Sequence, residues 1–438
     1  MMIVHLSKND IQGGAARAAY RLHKGLQRLG HASSMVVESR TSDDPSVRLF
    51  AKPMNPASII RRGLRQVCMA REFSKYSASR PPENGLFNED RSSYSSTLVD
   101  QLPESDIINL HWVPGFVDYE SFFANVLKAT PVVWTLHDMN PFTGGCHYDL
   151  GCGNYLHHCR ECPQLGSSDR KDLSFRVWER KRRIFSKVPV SRLRIVSPST
   201  WLANQAKQSP LLSGVALSVI PNGLDLEEFA PRHQGHVRHL LGIPQDARVV
   251  LFVAETVSDR RKGFAHLVEA LARCGRNVPN LLVVSLGQNR PEVSDRIPCV
   301  HVGPVNNDRF LSMVYSAADL FAICSLQDNL PNTVLEALAC GVPVVGYAVG
   351  GIPDMVRNGV NGLTVPVSDV DALARAISEL LNSSVRCKEM GANARRIAVV
   401  EYSLELQARR YSEIYAALLQ KTEEPCLRLC RVMDEEGL

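Results

Sequence analysis

Short apolar runs recur along the chain, each followed by a polar loop and then by a stretch whose apolar residues repeat at helical spacing. IVHLS (3–7) passes through KNDIQGGAA into ARAAYRLHKGLQRLG, which stops at Gly30, and SSMVVE (33–38) follows. Strand, helix and strand in that order make a βαβ unit. DIINLHW (106–112), PVVWTLHD (131–138), RLRIVSPS (192–199) and ALSVIPNG (216–223) read as later strands with helices between them. The rhythm restarts at RVVLFVAE (248–255) and runs through GFAHLVEALARCG, NLLVVSLG (280–287) and IPCVHVG (297–303) to DLFAICS (319–325). There a polar loop opens a short helix at Pro331 that ends before Gly341, and PVVG (343–346) is the next strand. Apolar runs with so little alternation fit strands covered on both faces, so the pattern predicts parallel, doubly wound α/β sheets.

The two rhythms meet near residue 230, where the polar segment DLEEFAPRHQGH (225–236) suits a linker. The expected domains are 1–228 and 229–402; an amphipathic helix over 403–420 follows, and 421–438 reads as a frayed tail. Two doubly wound domains facing across a cleft would turn both sets of strand ends toward one ligand. A length of 438 residues also exceeds what one ordinary core supports.

Composition changes this picture little. With 45% hydrophobic and 22% charged residues the chain is that of a soluble globular protein, and its net charge of +5 gives no ground for a nucleic-acid partner. No run of about 18 apolar residues is present to span a membrane, and the apolar start is too short for a secretory signal. Twelve cysteines scattered through a large α/β chain favour the reducing cytoplasm.

Chemistry concentrates at the predicted strand ends. In SLQDNLPNTVLEALACGVPVVG (325–346), Asp328 lies in the loop and Glu336 in the second helical turn. The helix N-terminus at Asn332, Thr333 and Val334, with Asn329 and Leu330 before it, offers backbone N–H groups and dipole potential to a phosphate. Carboxylates beside a phosphate suit hydroxyl partners, so the pair points to a nucleotide sugar. Arg260, Arg261 and Lys262 follow the first strand of the second half, where cations can stabilise a diphosphate leaving group; a solvated turn accounts for three charges nearly as well. Gly13 and Gly14 fit close approach of backbone to a ligand, or a turn before a helix, and match neither G-x-G-x-x-G nor a P-loop. His111 and His137 end apolar strands, and His137 has the better claim to chemistry because LHDMNPF turns sharply there. Asp369 and Asp371 form a D-x-D that helix capping explains better than metal binding.

Cys146, Cys152, Cys159 and Cys162 fall in CHYDLGCGNYLHHCRECP, within a segment (144–166) that reads as an insertion. Four thiols so close resemble a structural zinc knot; free thiols, a disulfide or an iron–sulfur site are the alternatives. SIIRRGLRQVCMAREFSK (58–75) and FRVWERKRRIFSK (175–187) mix basic and apolar residues at helical spacing, which suits an anionic membrane surface or simply an exposed face.

Assembled, these residues resemble a family 4 glycosyltransferase of the GT-B fold, over nearly the whole chain to about residue 420 and most strongly from IPNGLD (220–225) to GGIPDMV (350–356). DNLPNTVLEALACGVPVV is similar to the family's E-x7-E motif, with Asp328 in place of the first Glu. The resemblance implies that Asp328 contacts the donor sugar and Glu336 the nucleotide ribose. It puts Lys262 beside the diphosphate, His137 near the transferred sugar, and Gly13 and Gly14 in the first glycine-rich loop. Glu255 or Thr256 stands where the family's phosphate-binding Arg is usual, with Arg260 or Arg261 as substitute. The implied reaction moves a sugar from a nucleotide diphosphate-sugar to an acceptor hydroxyl, with retention of configuration and no catalytic cofactor or metal. The resemblance also implies that the 403–420 helix returns to the first domain. The cysteine-rich insertion resembles a bacterial subgroup associated with exopolysaccharide, capsule or O-antigen assembly. That implies a glycan or polyprenyl-diphosphate-linked oligosaccharide acceptor and a cytoplasmic enzyme peripheral to the inner face of the membrane. The competing readings are an epimerase or phosphorylase of the same fold, and a zinc-containing protein that binds nucleic acid or lipid. The last leaves the 325–346 unit without a role.

Overall fold

The computed structural model describes residues 1–81, 85–257, 259–275, 277–290 and 297–435, with residues 421–435 described by their backbone alone. The chain divides into two compact units, Met1–Ile220 with Gln407–Leu438, and Pro221–Leu406.

In the first unit, seven parallel strands form one sheet: β1 (Met2–Asn9), β2 (Ala32–Ser39), β3 (Val47–Leu49), β4 (Ile107–Leu110), β5 (Val132–Thr135), β6 (Leu193–Ser197) and β7 (Ala216–Val219). Their spatial order is β3-β2-β1-β4-β5-β6-β7. The order reverses between β1 and β4. In an open parallel sheet that reversal leaves a crevice outside the carboxyl ends of the two strands, because their connections leave toward opposite faces. β4 and β5 are buried at every position, as the unbroken apolar runs require. One face packs on Phe116, Phe122, Trp134, Trp178 and Phe185; the other packs Ile3, Leu22 and Ile107 against Tyr411, Tyr415 and Leu418 of the last helix.

The second unit holds β8 (Arg248–Thr256), β9 (Leu281–Gln288), β10 (Cys299–Gly303), β11 (Leu320–Ile323), β12 (Val344–Tyr347) and β13 (Gly362–Val365), all parallel. Their order is β10-β9-β8-β11-β12-β13, so here the crevice lies at the ends of β8 and β11.

Three expected boundaries move. The first division falls after Ile220, not after 228, because Leu224 exchanges backbone hydrogen bonds with Tyr402 and Leu404 (2.9 and 3.0 Å) and Phe229 is buried in the second core. The expected linker 225–236 is therefore docked chain, and a helix starts at Gln234. The last helix runs Leu404–Glu435, past the residue-420 end expected from the pattern. Its side chains beyond residue 420, Cys426 and Cys430 included, and residues 436–438 lie outside the described residues.

Candidate functional site

The crevice of the second sheet collects the predicted charged residues. After β8 the chain makes a tight turn, Arg260–Lys262, capped by the Asp259 carboxylate, which accepts the Arg261 N–H at 3.0 Å. After β11 the loop 324–331 leads to the helix Asn332–Ala339. The two turns touch: the Leu326 N–H donates to the Arg261 carbonyl at 2.8 Å, and the Arg261 guanidinium donates to the Gln327 carbonyl at 2.9 Å. Such closeness needs Gly263, which sits at φ +70°, where a Cβ would lie 1.9 Å from the Cys324 carbonyl oxygen. Gly350 supports the loop from the other side; a Cβ there would meet the Asp328 carbonyl oxygen at 1.6 Å.

Within this frame Lys262 Nζ donates to Asp328 Oδ2 at 2.6 Å, the Arg261 guanidinium stands 3.6 Å from the same oxygen, and the Ser325 hydroxyl donates to it at 3.1 Å. The Asn329 N–H donates to the other carboxylate oxygen at 3.1 Å. Burial alone would push the Asp328 carboxyl up; Lys262 and Arg261 outweigh it and hold the group below the usual carboxylate range. Asp328 is thus a buried, ionised acceptor with its orientation fixed by three donors and a second cation nearby.

The helix begins at Pro331 with no side chain capping it. Glu336 is buried on this helix and accepts the Tyr315 hydroxyl at 3.1 Å. The Asn332 side chain accepts from the Asn222 amide at 3.1 Å. The Val334 N–H turns back onto the Pro331 carbonyl at 3.0 Å, and the Leu330 side chain packs into the hydrophobic core, so what Leu330 could offer a ligand is its backbone. Thr333 lies in the first turn beside Asn332, while Arg260 is exposed on its turn. Asp369 accepts the Ala372 N–H at 2.8 Å and Asp371 pairs with Arg273 at 2.5 Å, so the D-x-D is a helix cap and a surface ion pair.

In the first unit, Gly13 precedes the helix Gly14–Arg28 at φ +88°. The loop is anchored by Asp10, a residue the sequence reading passed over, whose carboxylate accepts the N–H groups of Ile11, Thr41 and Ser42. His137 follows β5, where the chain turns through Asn140–Phe142. Its neighbour Asp138 is buried and accepts from the Asn140 N–H (2.8 Å), the Trp112 indole (2.8 Å) and His147 (2.6 Å). His147 belongs to the cysteine-rich segment and bridges on to Asn88 at 2.9 Å, so that segment braces the turn bearing His137. Nothing in the local pattern around Asp138 or His147 announces this pairing, which depends on a fold-back of the insertion.

Cys146, Cys152, Cys159 and Cys162 line one small cavity with Phe87, and all four are free thiols. The Gly144 N–H donates to Cys159 Sγ at 3.1 Å. Among the described residues no group of three or more His, Cys, Asp or Glu side chains stands ready to hold a metal ion.

Comparison with known proteins finds matches over most of the chain. Residues 12–228 match the family model described as glycosyltransferase family 4, and residues 247–383 the model described as glycosyl transferases group 1. Alpha-maltose-1-phosphate synthase of Mycobacterium tuberculosis (strain CDC 1551 / Oshkosh) is 26% identical over 370 residues, covering 80% of this chain and 89% of that protein. D-inositol 3-phosphate glycosyltransferase of Corynebacterium urealyticum is 31% identical over 227 residues, 48% of this chain and 53% of its own length. Among solved structures, sucrose-phosphate synthase from Thermosynechococcus elongatus superposes with a TM-score of 0.63 at 20% identity, covering 96% of this chain and 100% of that one. Anabaena HepE, solved with UDP and glucose, gives a TM-score of 0.65 at 17% identity, covering 95% and 99%.

Proposed function

This chain belongs to the family 4 glycosyltransferases of the GT-B fold, and we propose that it moves a sugar from a nucleotide diphosphate-sugar to a hydroxyl of a glycan or lipid-linked oligosaccharide, with retention of anomeric configuration. The observation that carries this is the Lys262–Asp328 pair at the crevice of the second sheet, beside the uncapped helix start and the buried Glu336. An ionised carboxylate held in place by cations is an acceptor for sugar hydroxyls. The same cations and the helix dipole favour the negative charge that grows on a departing diphosphate. Glu336 then accepts from the ribose. Cations in this position do the work a divalent metal does elsewhere, which supports the metal-independent reading. No side chain is proposed as a covalent nucleophile; rate acceleration comes from positioning and charge stabilisation. His137, with Gly13 and Gly14, is proposed for the sugar-side contacts that the family resemblance gives it. HepE was solved with UDP and with UDP-glucose, which makes UDP the first base to test.

The decisive experiment is thermal unfolding with a panel of UDP, GDP, UDP-glucose and GDP-mannose, on the wild type and on Glu336→Ala. A ligand bound only by the folded chain, at about 100 times its Kd, stabilises it by about 2.7 kcal/mol. One base should shift the transition, and the substitution should abolish that shift. Absence of any shift in folded wild-type protein would remove the donor assignment.

Two finer parts of the proposal have their own tests. The helix Pro56–Ser74 has no buried residue and exposes Ile60, Leu64 and Val67 among Arg61, Arg62 and Arg71, which supports docking on an anionic bilayer. No described helix is long and apolar enough to cross one. Co-sedimentation with vesicles containing anionic lipid at low salt should capture the protein and release it as salt rises; no capture at low salt sinks this part. The four cysteines around one cavity support a structural zinc, which the Cys146, Cys152, Cys159 and Cys162 sulfurs would hold. Protein purified without chelators should carry about one zinc per chain. Far less, or an unchanged content in Cys159→Ser/Cys162→Ser, would overturn the zinc.

A further inference from the structure

Three neighbouring strands of the first sheet, β2, β1 and β4, run out into polar side chains on one face. Val36, Leu6 and Leu110 pack in the aromatic core, and Glu38, Lys8 and Trp112 each follow two residues on, which returns them to that face at the carboxyl ends. Ser7 pairs with Val37 and Asn9 with Ser39, so Lys8 and Glu38 lie side by side between them. The Lys8 N–H donates to the Trp112 carbonyl at 2.8 Å, which carries the β1 and β4 pairing past its last ladder pair, Leu6 with Leu110. Between β1 and β4 the strand order reverses, and there an open parallel sheet has its crevice.

Other carboxylates around this crevice are spent on the protein itself. Asp10 accepts three backbone N–H groups, and Asp138 is engaged by the Asn140 N–H, Trp112 and His147. Lys8 and Glu38 are engaged loosely. The Lys8 ammonium reaches the Pro114 carbonyl at 3.5 Å, the limit of a hydrogen bond, and stands 5.8 Å from the Trp112 ring centre. Glu38 accepts the Tyr94 hydroxyl on Oε1 at 2.6 Å, and its Oε2 lies 3.9 Å from Lys8 Nζ, too far for a hydrogen bond. Side-chain exposures of 34% for Lys8 and 19% for Glu38 leave both within reach of a ligand.

We propose that Lys8 and Glu38, with Trp112 as an apolar wall, form a subsite for an uncharged sugar of the acceptor. The inference rests on the reading of the chain as a sugar transferase with a glycan acceptor. A hydroxyl both donates and accepts. One hydroxyl oxygen can therefore sit between a carboxylate and an ammonium 3.9 Å apart, giving its proton to Glu38 Oε2 and accepting one N–H of Lys8. A neighbouring hydroxyl can use the remaining lysine donors. A phosphate would face the Glu38 carboxylate and a cationic group would face Lys8, so of the groups a glycan carries, neutral hydroxyls satisfy both. Trp112 is partly exposed, and its ring is held by the indole bond to Asp138 at 2.8 Å. The apolar C–H face of a sugar ring suits such an indole. Trp112 and Pro114 line one cavity with Asp138 and His137, so the subsite is continuous with the place proposed for the sugar-side contacts.

The test is saturation-transfer difference NMR on the full chain, titrated to millimolar concentration with the methyl α-glycosides of glucose, mannose and galactose and with glucose 1-phosphate. At least one glycoside should bind. Glu38→Gln, whose amide oxygen can still accept from Tyr94, and Lys8→Gln should each raise the dissociation constant of that glycoside about tenfold, the cost of one charge-assisted hydrogen bond. On glucose 1-phosphate the two variants should diverge. Removing the carboxylate should strengthen its binding and removing the ammonium should weaken it, a charge signature that a purely structural loss does not produce. Wild-type protein that binds none of the glycosides overturns the proposal whether or not either variant folds, as does glycoside binding unchanged in both folded variants. Glucose 1-phosphate bound more tightly than every glycoside, and lost in Lys8→Gln, overturns the choice of an uncharged sugar. If the glycosides behave as expected but no nucleotide shifts thermal unfolding, the subsite stands and the donor reading is what fails.

Discussion

Alanine in place of Lys262 is expected to lower kcat/KM by about 10²–10³-fold with the nucleotide sugar that the binding panel identifies, the cost usual for losing one preorganised charge partner of a transition state. The substitution removes two things at once. It takes away the ammonium nearest the proposed diphosphate, and it deprives Asp328 of the donor that lies 2.6 Å away. Arg261 at 3.6 Å, already committed to the Gln327 carbonyl, is left as the nearer cation. Since burial pushes the Asp328 carboxyl up and Lys262 is the largest opposing influence, the carboxyl should titrate higher in the variant and serve less well as an acceptor. Folding stability should fall by about 1–3 kcal/mol, the usual cost of stranding one partner of a buried polar pair. Because both losses act through one contact, Lys262→Ala/Asp328→Asn should lose far less than the product of the single losses. Steady-state kinetics and urea unfolding on the four proteins check this. Retention of more than a tenth of wild-type kcat/KM by Lys262→Ala would remove Lys262 from the catalytic assignment.

Why Lys262 and Asp328 could be singled out from sequence, while their direct pairing could not, follows from what each depends on. Both directly follow apolar strands, and a parallel sheet with one reversal of strand order must bring the ends of its two innermost strands together. That argument is local and needs only periodicity. The contact itself spans 66 residues and depends on Gly263 and Gly350 allowing close backbone approach, a property of tertiary shape. Glu336 shows the same limit: on a helix flanked by Leu335 and Ala337 its burial is set by Tyr315 on another helix. The edge strands β3 and β13, of three and four residues, were too short for any period to register. The contact of His5 with His111 was equally illegible, because His5 sits mid-strand in IVHLS and only the register with β4 brings the two rings together.

Acid should destabilise the first unit well above the pH at which its carboxylates titrate. His137 and His23 are held neutral by burial, each with its pKa lowered to about 4, and His5 and His111 lie well below the ordinary value for the same reason. Against an unfolded-chain value of about 6.5, the unfolded state binds more protons than the folded one throughout the window between. The sign follows directly: the contribution is fully present above about pH 6.5 and is lost progressively as pH falls toward 4. At pH 5 each of His137 and His23 accounts for about 2 kcal/mol of lost stability, about 4 together, and the other two add to it. Such a loss is a large part of the 5–15 kcal/mol typical of a folded domain. Two further groups of the first unit act inside the window: His31, also lowered by burial, adds to the loss, and Glu89, whose carboxyl burial raises, works against it; the remaining shifted groups fall outside. Asp138 and Asp328 have lowered values and act only at lower pH, and Lys181, which burial brings to about 8, titrates above it. All four tryptophans, Trp112, Trp134, Trp178 and Trp201, lie in the first unit, so urea unfolding followed by tryptophan fluorescence reports on that unit alone. Stability should be level from pH 7.5 to 6.5 and then fall steeply toward pH 5. A flat profile over that range would mean that the histidines are charged or solvated in the folded chain.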